Sequence, residues 1–169
     1  IEEQKAREND PQKERVLIIA DDLLAMGCSP RSLIFTSSSF LRHLDASMIY
    51  ISQTYKGNFS LPPVVRNNLD AMTMFRCPSA QQVNAFTEDM AGTFGSKKNV
   101  EHMLSYCTQK PYHFAYYNYR DLKVYHNHGE FIWEKYDANG NFNPDFNGKP
   151  AVMDNKEEES DFTESEDEE

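Results

Sequence analysis

An α/β fold with a mostly parallel sheet is what this 169-residue sequence predicts, and three observations predict it. Two short apolar runs, Val16-Leu17-Ile18-Ile19-Ala20 and Ile49-Tyr50-Ile51, end in polar groups. Unbroken runs of this kind suit strands buried on both faces of a parallel sheet. Segments with helix-start signals alternate with the strands, as a sheet covered by helices requires. A later aromatic-rich stretch with hairpin signals, from His113 to Glu134, adds a small β unit.

Taken in order, residues 1–14 are charged, lack an apolar stripe and read as a linker or helix end. The first strand begins near Val16 and is ended by Asp21-Asp22. Ser29-Pro30 pairs an N-cap residue with proline at the first helical position, predicting a helix to about His43. A second strand covers Ser47 to Ser52, with Gln53 directly after it. Pro62-Pro63 opens a short helix through Asn68, and a third strand runs from Ala71 to Arg76. Ser79 caps a helix to about Ala91 in which Val83, Phe86 and Met90 recur at helical spacing. Another helix covers Lys97 to Cys107. Strands follow over His113–Tyr119, Leu122–His126 and Glu130–Glu134, the last two flanking the turn Asn127-His128-Gly129. Residues 137–169 read as loop and then as an acidic tail disordered by composition.

The formal net charge is −10, but it is unevenly placed. Asp154 to Glu169 holds ten acids and one lysine, a net of −9, which leaves the body at −1. This excludes a globally basic nucleic-acid coat and a fully disordered chain, while leaving room for a local basic patch. Cys28, Cys77 and Cys107 are odd in number and form no C-x-x-C pair, so a reducing compartment is expected rather than a disulfide framework. No apolar run approaches the ~20 residues of a membrane span. Ile1-Glu2-Glu3-Gln4-Lys5 carries neither a signal-peptide pattern nor an initiator Met. Together these features predict a cytosolic protein and a stretch from inside a longer reading frame.

Two acids at the C-terminal end of an apolar strand have a chemical use. Ligands of open α/β sheets bind beyond the carboxyl ends of the strands. There Asp21 can hold the water shell of Mg²⁺ and Asp22 can orient or deprotonate an attacking water. The ordinary alternative is a solvated acidic turn. Gln53 ends the next strand, and in a parallel neighbour its amide would lie beside the two acids, able to bond both water and a γ-phosphate oxygen. Its alternative role is a turn cap. Arg42 and Arg66 flank this strand and are each able to reach a neighbouring subunit's phosphates or to form a surface ion pair worth ~0–1 kcal/mol.

The strings VLIIADD and RHLDASMIYISQTYKGNFSLPPVVRNNLDAMTMFR resemble the C-terminal half of viral genome-packaging ATPases of the FtsK/HerA superfamily. The likeness is to the poxvirus-type packaging ATPase of large DNA viruses and virophages, over residues 15–110. In that family a Walker B strand ends in two acids, matching Asp21 and Asp22, and a glutamine ends the next core strand, matching Gln53. An arginine before that strand matches Arg42, followed here by His43, and a basic residue in the following helix matches Arg66. The resemblance implies the C-terminal part of a P-loop NTPase domain of RecA-like fold, with the β unit appended, over residues 15–136, and ATP and Mg²⁺ as cofactors. It implies a homo-oligomeric ring acting on double-stranded DNA, in contact with capsid proteins or a viral membrane. The site of action would be the host cytoplasm, in the viral factory, and the virion. Arg42 would be the finger that acts in trans. No G-x-x-x-x-G-K-[ST] occurs in the 169 residues, and the family places that phosphate loop upstream. The residues are therefore expected to be the C-terminal part of a longer ATPase, inactive in isolation. Two alternatives are a cellular or mobile-element DNA pump and a non-enzymatic α/β adaptor with an acidic interaction tail.

Other residues carry weaker signals. His126 and His128 are spaced i,i+2, compatible with zinc, but have no evident third ligand. Cys77 has no neighbouring base to make it a nucleophile. Tyr112, Tyr116, Tyr117 and Tyr119, with Arg120 and Lys123, fit either a stacking surface for single-stranded nucleic acid or the packed face of the β unit.

Overall fold

The computed structural model describes residues 15–21, 41, 46–57, 60–143 and 145–148. The predicted helix from Ser29 lies outside these residues except for Leu41, and the acidic tail lies outside them altogether. The described strands are β1 (Val16–Asp21), β2 (Ala46–Ile51), β3 (Ala71–Phe75), β4 (Phe114–Asn118), β5 (Lys123–His126) and β6 (Glu130–Glu134). The described helices are α1 (Pro63–Arg66), α2 (Ala80–Met90) and α3 (Lys97–Cys107).

These strands form two sheets. β1 and β2 are parallel and directly paired, with Val16 opposite Ala46 and Asp21 opposite Ile51. β3, β4, β5 and β6 form a four-stranded sheet in that order, antiparallel throughout. The fold is thus mixed α/β, and the expectation of a mostly parallel sheet is corrected: β3 pairs with β4 rather than joining β1 and β2. The reason is reach. Residues in a short apolar strand carry no label for their partner, and the turn at Asp70 brings Ala71 against Asn118, with the Tyr119 amide donating to the Asp70 carbonyl at 2.9 Å.

A second correction concerns β1. Its burial alternates rather than being complete, with Leu17 58% and Ile19 60% exposed. Ile49 and Ile51 of β2 are exposed in the same way. Apolar side chains at every position hide this alternation from a pattern reading.

Local signals place the helices. The Ser79 hydroxyl accepts from the Gln82 amide and starts α2, and the Ser96 hydroxyl accepts from the Asn99 amide at 3.1 Å and starts α3. α2 buries Ala85, Phe86, Thr87 and Met90, while α3 buries Val100, Met103, Leu104 and Cys107. Both stripes pack against one face of the four-stranded sheet, where Ala115, Tyr117, Val124 and Trp133 complete the core. Phe86 and Phe94 meet the Tyr117 ring edge-to-face at 5.3 and 5.2 Å. The core extends past residue 136, because Phe146 belongs to it and its amide bonds the Asn99 side chain.

Gly95, between the helices, has a φ of +94° and faces Asn99 so closely that a Cβ would sit 2.5 Å from Nδ2. Only glycine meets both conditions, which frees the Asn99 amide to bond the Phe94 carbonyl at 2.9 Å. The β5–β6 turn falls at Asn127-His128-Gly129 as expected, with Asn127 at a φ of +55°. Among the described residues no helix is long and apolar enough to cross a membrane.

Candidate functional site

Parallel pairing sets the geometry at the C-terminal ends of β1 and β2. Asp21 is the last residue of β1 and is exposed. Its partner Ile51 is the last residue of β2, and Gln53 follows two residues later, also exposed. The two strand ends therefore lie side by side, one bearing a carboxylate and the other leading to an amide. Asp22, Arg42 and His43 lie outside the described residues.

Arg66 is the one arginine of the predicted set that the structure describes. It sits at the end of α1 and is mostly buried. Its guanidinium donates to the carbonyls of Leu61 at 2.8 Å and Tyr55 at 3.3 Å, pairs with the Asp89 carboxylate at 3.3 Å and lies 5.0 Å from the centre of the Tyr55 ring. These contacts commit it within the subunit, to the segment just after Gln53.

The same segment is held from a second side. Gln82 of α2 accepts from the amides of Tyr55 and Lys56 at 2.9 and 2.8 Å through Oε1. Its Nε2 donates to the Lys56 carbonyl at 2.9 Å. Asp89, one helical face further on, accepts from the Tyr55 hydroxyl at 3.0 Å and pairs with Lys56 at 3.7 Å. Burial, followed by the hydrogen bond to Asp89, raises the Tyr55 phenol above its ordinary value, while the Arg66 charge opposes this. The segment after β2 is thus clamped to α2 by one amide and a small ionic cluster. Sequence reasoning missed Gln82 and Asp89. A polar residue on a helix carries no mark of a partner 26 residues away, so no signal in the chain would have found them.

The histidines separate. The His126 imidazole is 2.6 Å from His113 through Nε2 and 2.5 Å from Glu130 through Nδ1. Glu130 also accepts from the Tyr106 hydroxyl at 2.8 Å. These hydrogen bonds, that from His126 first and that from Tyr106 second, hold the Glu130 carboxyl below its ordinary value. His128 instead packs against the rings of Phe114 and Tyr116 at 4.9 and 5.3 Å. The i,i+2 zinc spacing therefore does not bring the two histidines to a common point. No cluster of three or more His, Cys, Asp or Glu suited to a metal occurs among the described residues.

The Cys107 thiol is a buried side chain of the core. Burial first, and the charge of Glu130 second, push Cys107 up to about 12. Of the tyrosine stripe, Tyr117 is in the core, Tyr119 lies against Phe94 with its hydroxyl on the Met90 sulfur, and Tyr116 is on the opposite face of the sheet.

No protein-family model matches the chain, and neither a curated protein nor a solved structure matches it.

Proposed function

We propose that these residues are the Walker B and sensor half of an ATP-driven motor that translocates double-stranded DNA, in packaging of a viral genome. The observation that supports this reading is the direct parallel pairing of β1 and β2, with Asp21 opposite Ile51 and Gln53 two residues beyond. An acid and an amide on adjoining strand ends are what a phosphoryl-transfer site needs there, one for Mg²⁺ and one for water and the γ-phosphate. Asp21 carries the metal's water shell, Asp22 activates the attacking water and Gln53 reads the γ-phosphate. Arg42 of the partner subunit neutralises the charge that develops on the transferred phosphate. Arg66 is assigned a positioning role, because its donors are taken up by the segment that follows Gln53. The half-exposed apolar side chains of β1 and β2 fit strands that belong to a wider, layered sheet.

The test is Asp22→Asn in a polypeptide that joins these residues to their upstream coding sequence. The expected result is retained nucleotide binding with turnover lowered about a hundredfold or more. Unchanged turnover removes Asp22 from the chemistry. An upstream frame that encodes no phosphate loop removes the ATPase reading altogether.

A further inference from the structure

Antiparallel sheets that face water on one side usually turn polar residues outward. The four-stranded sheet does otherwise. On the face away from α2 and α3, the outward positions are Phe75 of β3, Phe114 and Tyr116 of β4, Tyr125 of β5 and Phe131 of β6. They form a continuous row of rings. Phe75 lies 5.1 Å from Phe114, Phe114 lies 4.9 Å from His128, and His128 lies 5.3 Å from Tyr116. Tyr116 then lies 6.0 Å from Tyr125, which lies 5.8 Å from Phe131. Phe75 is 52% exposed, while Phe114, Tyr116, Tyr125 and Phe131 are partly buried against one another and none of the five belongs to the buried core. The other outward positions are Ala71 and Thr73 of β3, Asn118 of β4, Lys123 of β5 and Glu134 of β6, so Ala71 is the one aliphatic side chain among these strand positions. A row of rings with polar edges gives flat heteroaromatic ligands, such as the bases of a single strand, faces on which to stack.

Charge at the ends of the row points to the same partner. At the Phe75–Phe114 end stand Arg76 and Lys110, both exposed and neither with a carboxylate partner among the described residues. Tyr112, between Lys110 and the start of β4, is 92% exposed. The acid at this end, Glu130, is already engaged by His126 and Tyr106. At the other end Lys123 lies 5.7 Å from the Phe131 ring centre, and its charge is shared with Glu134 at 3.4 Å. The free positive charge is therefore concentrated at one end of a stacking surface. Residues 154–169 carry −9 of the chain's −10, so the body that bears this face is itself close to neutral.

We propose that the open face of β3–β6 binds single-stranded nucleic acid, with bases stacked on Phe114, Tyr116 and Tyr125 and phosphates held by Arg76 and Lys110. This surface is separate from the Asp21–Gln53 strand ends and does not depend on the motor reading.

The probes are fluorescein-labelled dT20 and rU20, titrated with the whole chain at low salt and followed by anisotropy, with a blunt 20-base-pair duplex as a third arm. Single strands are expected to bind more tightly than the duplex, and the tighter of dT20 and rU20 identifies the natural source. Tyr116→Ala and Tyr125→Ala should each weaken single-strand binding about tenfold. Arg76→Glu, which leaves the rings in place, should weaken it and make the dependence on salt shallower. Three results would overturn the proposal: no binding of either single strand, equal or tighter binding of the duplex, or undiminished binding by variants whose circular dichroism is native. Self-association that Tyr116→Ala abolishes while strand binding persists would also overturn it, by assigning the face to a second copy of the chain.

Discussion

β1 and β2 leave Leu17, Ile19, Ile49 and Ile51 about half exposed, whereas the four-stranded sheet and its two helices enclose Phe86, Tyr117, Val124, Ile132 and Trp133 almost completely. Both regions are rich in apolar residues, so apolar content does not explain the difference. Among the described residues, what separates them is a covering layer. α2 and α3 close one face of β3–β6, and burial of that face supplies the area that drives folding. The lesson is that, among the described residues, the most obviously hydrophobic run in the sequence, Val16 to Ala20, adds little to the buried core.

The sharpest way to break this comparison is to delete one large side chain from each region. Trp133→Ala removes a fully buried ring and should cost about 3–5 kcal/mol in urea unfolding. Ile19→Ala, at an exposed position, should cost under about 1 kcal/mol. Equal losses would mean that the outer face of β1 and β2 is covered in the folded protein.

Next in size is the clamp that joins the end of β2 to α2. Gln82→Ala removes the acceptor of the Tyr55 and Lys56 amides. Amide hydrogen exchange at those two residues should rise about fivefold, in line with ~1 kcal/mol per hydrogen bond, while exchange in β4 stays unchanged. Acceleration spread evenly through the molecule would show that the clamp is part of the main core instead of a joint between regions.

A smaller, pH-dependent effect belongs to the four-stranded region alone. The Glu130 carboxyl is held below its ordinary value by His126 and Tyr106. A group lowered in this way stabilises the fold above its unfolded value, and that contribution fades as pH falls through the folded value. The loss should therefore set in below about 4.5, the ordinary value of this carboxyl. Thermal melts of Glu130→Gln should lack this part of the acid slope, and an identical slope in both proteins would contradict the assignment. The smallest effect is expected at Tyr117, whose hydroxyl is buried with no hydrogen-bond partner among the described residues. Tyr117→Phe should leave stability unchanged or raise it by up to ~1 kcal/mol, since it relieves an unpaired polar atom and keeps the ring. A clear loss in the same melts would indicate that the hydroxyl finds a partner in solution.

Much of this architecture was legible in advance, and the division follows the range of each signal. Ser79 announces α2 within four residues, and Asn127-His128-Gly129 announces its hairpin, whereas the Ser96 cap of α3 emerges from the structure. The parallel strands β1 and β2 were likewise readable from their composition and spacing. The partner of β3 was not, because pairing Met72 with Tyr117 depends on residues 45 positions away. At the candidate site, Asp21 and Gln53 stood out as polar residues ending apolar strands. For Arg66 the sequence left a phosphate contact and an ion pair both open, because the Tyr55 and Leu61 carbonyls that accept from it are backbone atoms that no sequence motif displays. The row of rings was only half visible: a stripe of tyrosines was apparent, but strand register alone decided that Tyr116 faces outward and Tyr117 inward.

The amide of Gln82 has a mechanical consequence. It grips main-chain atoms of Tyr55 and Lys56 in both directions without carrying charge. Concentrated electrolyte would loosen the neighbouring Lys56–Asp89 contact yet leave this neutral link in place. A pull applied beyond the second strand would then reach the following helix in brine much as it does in dilute buffer.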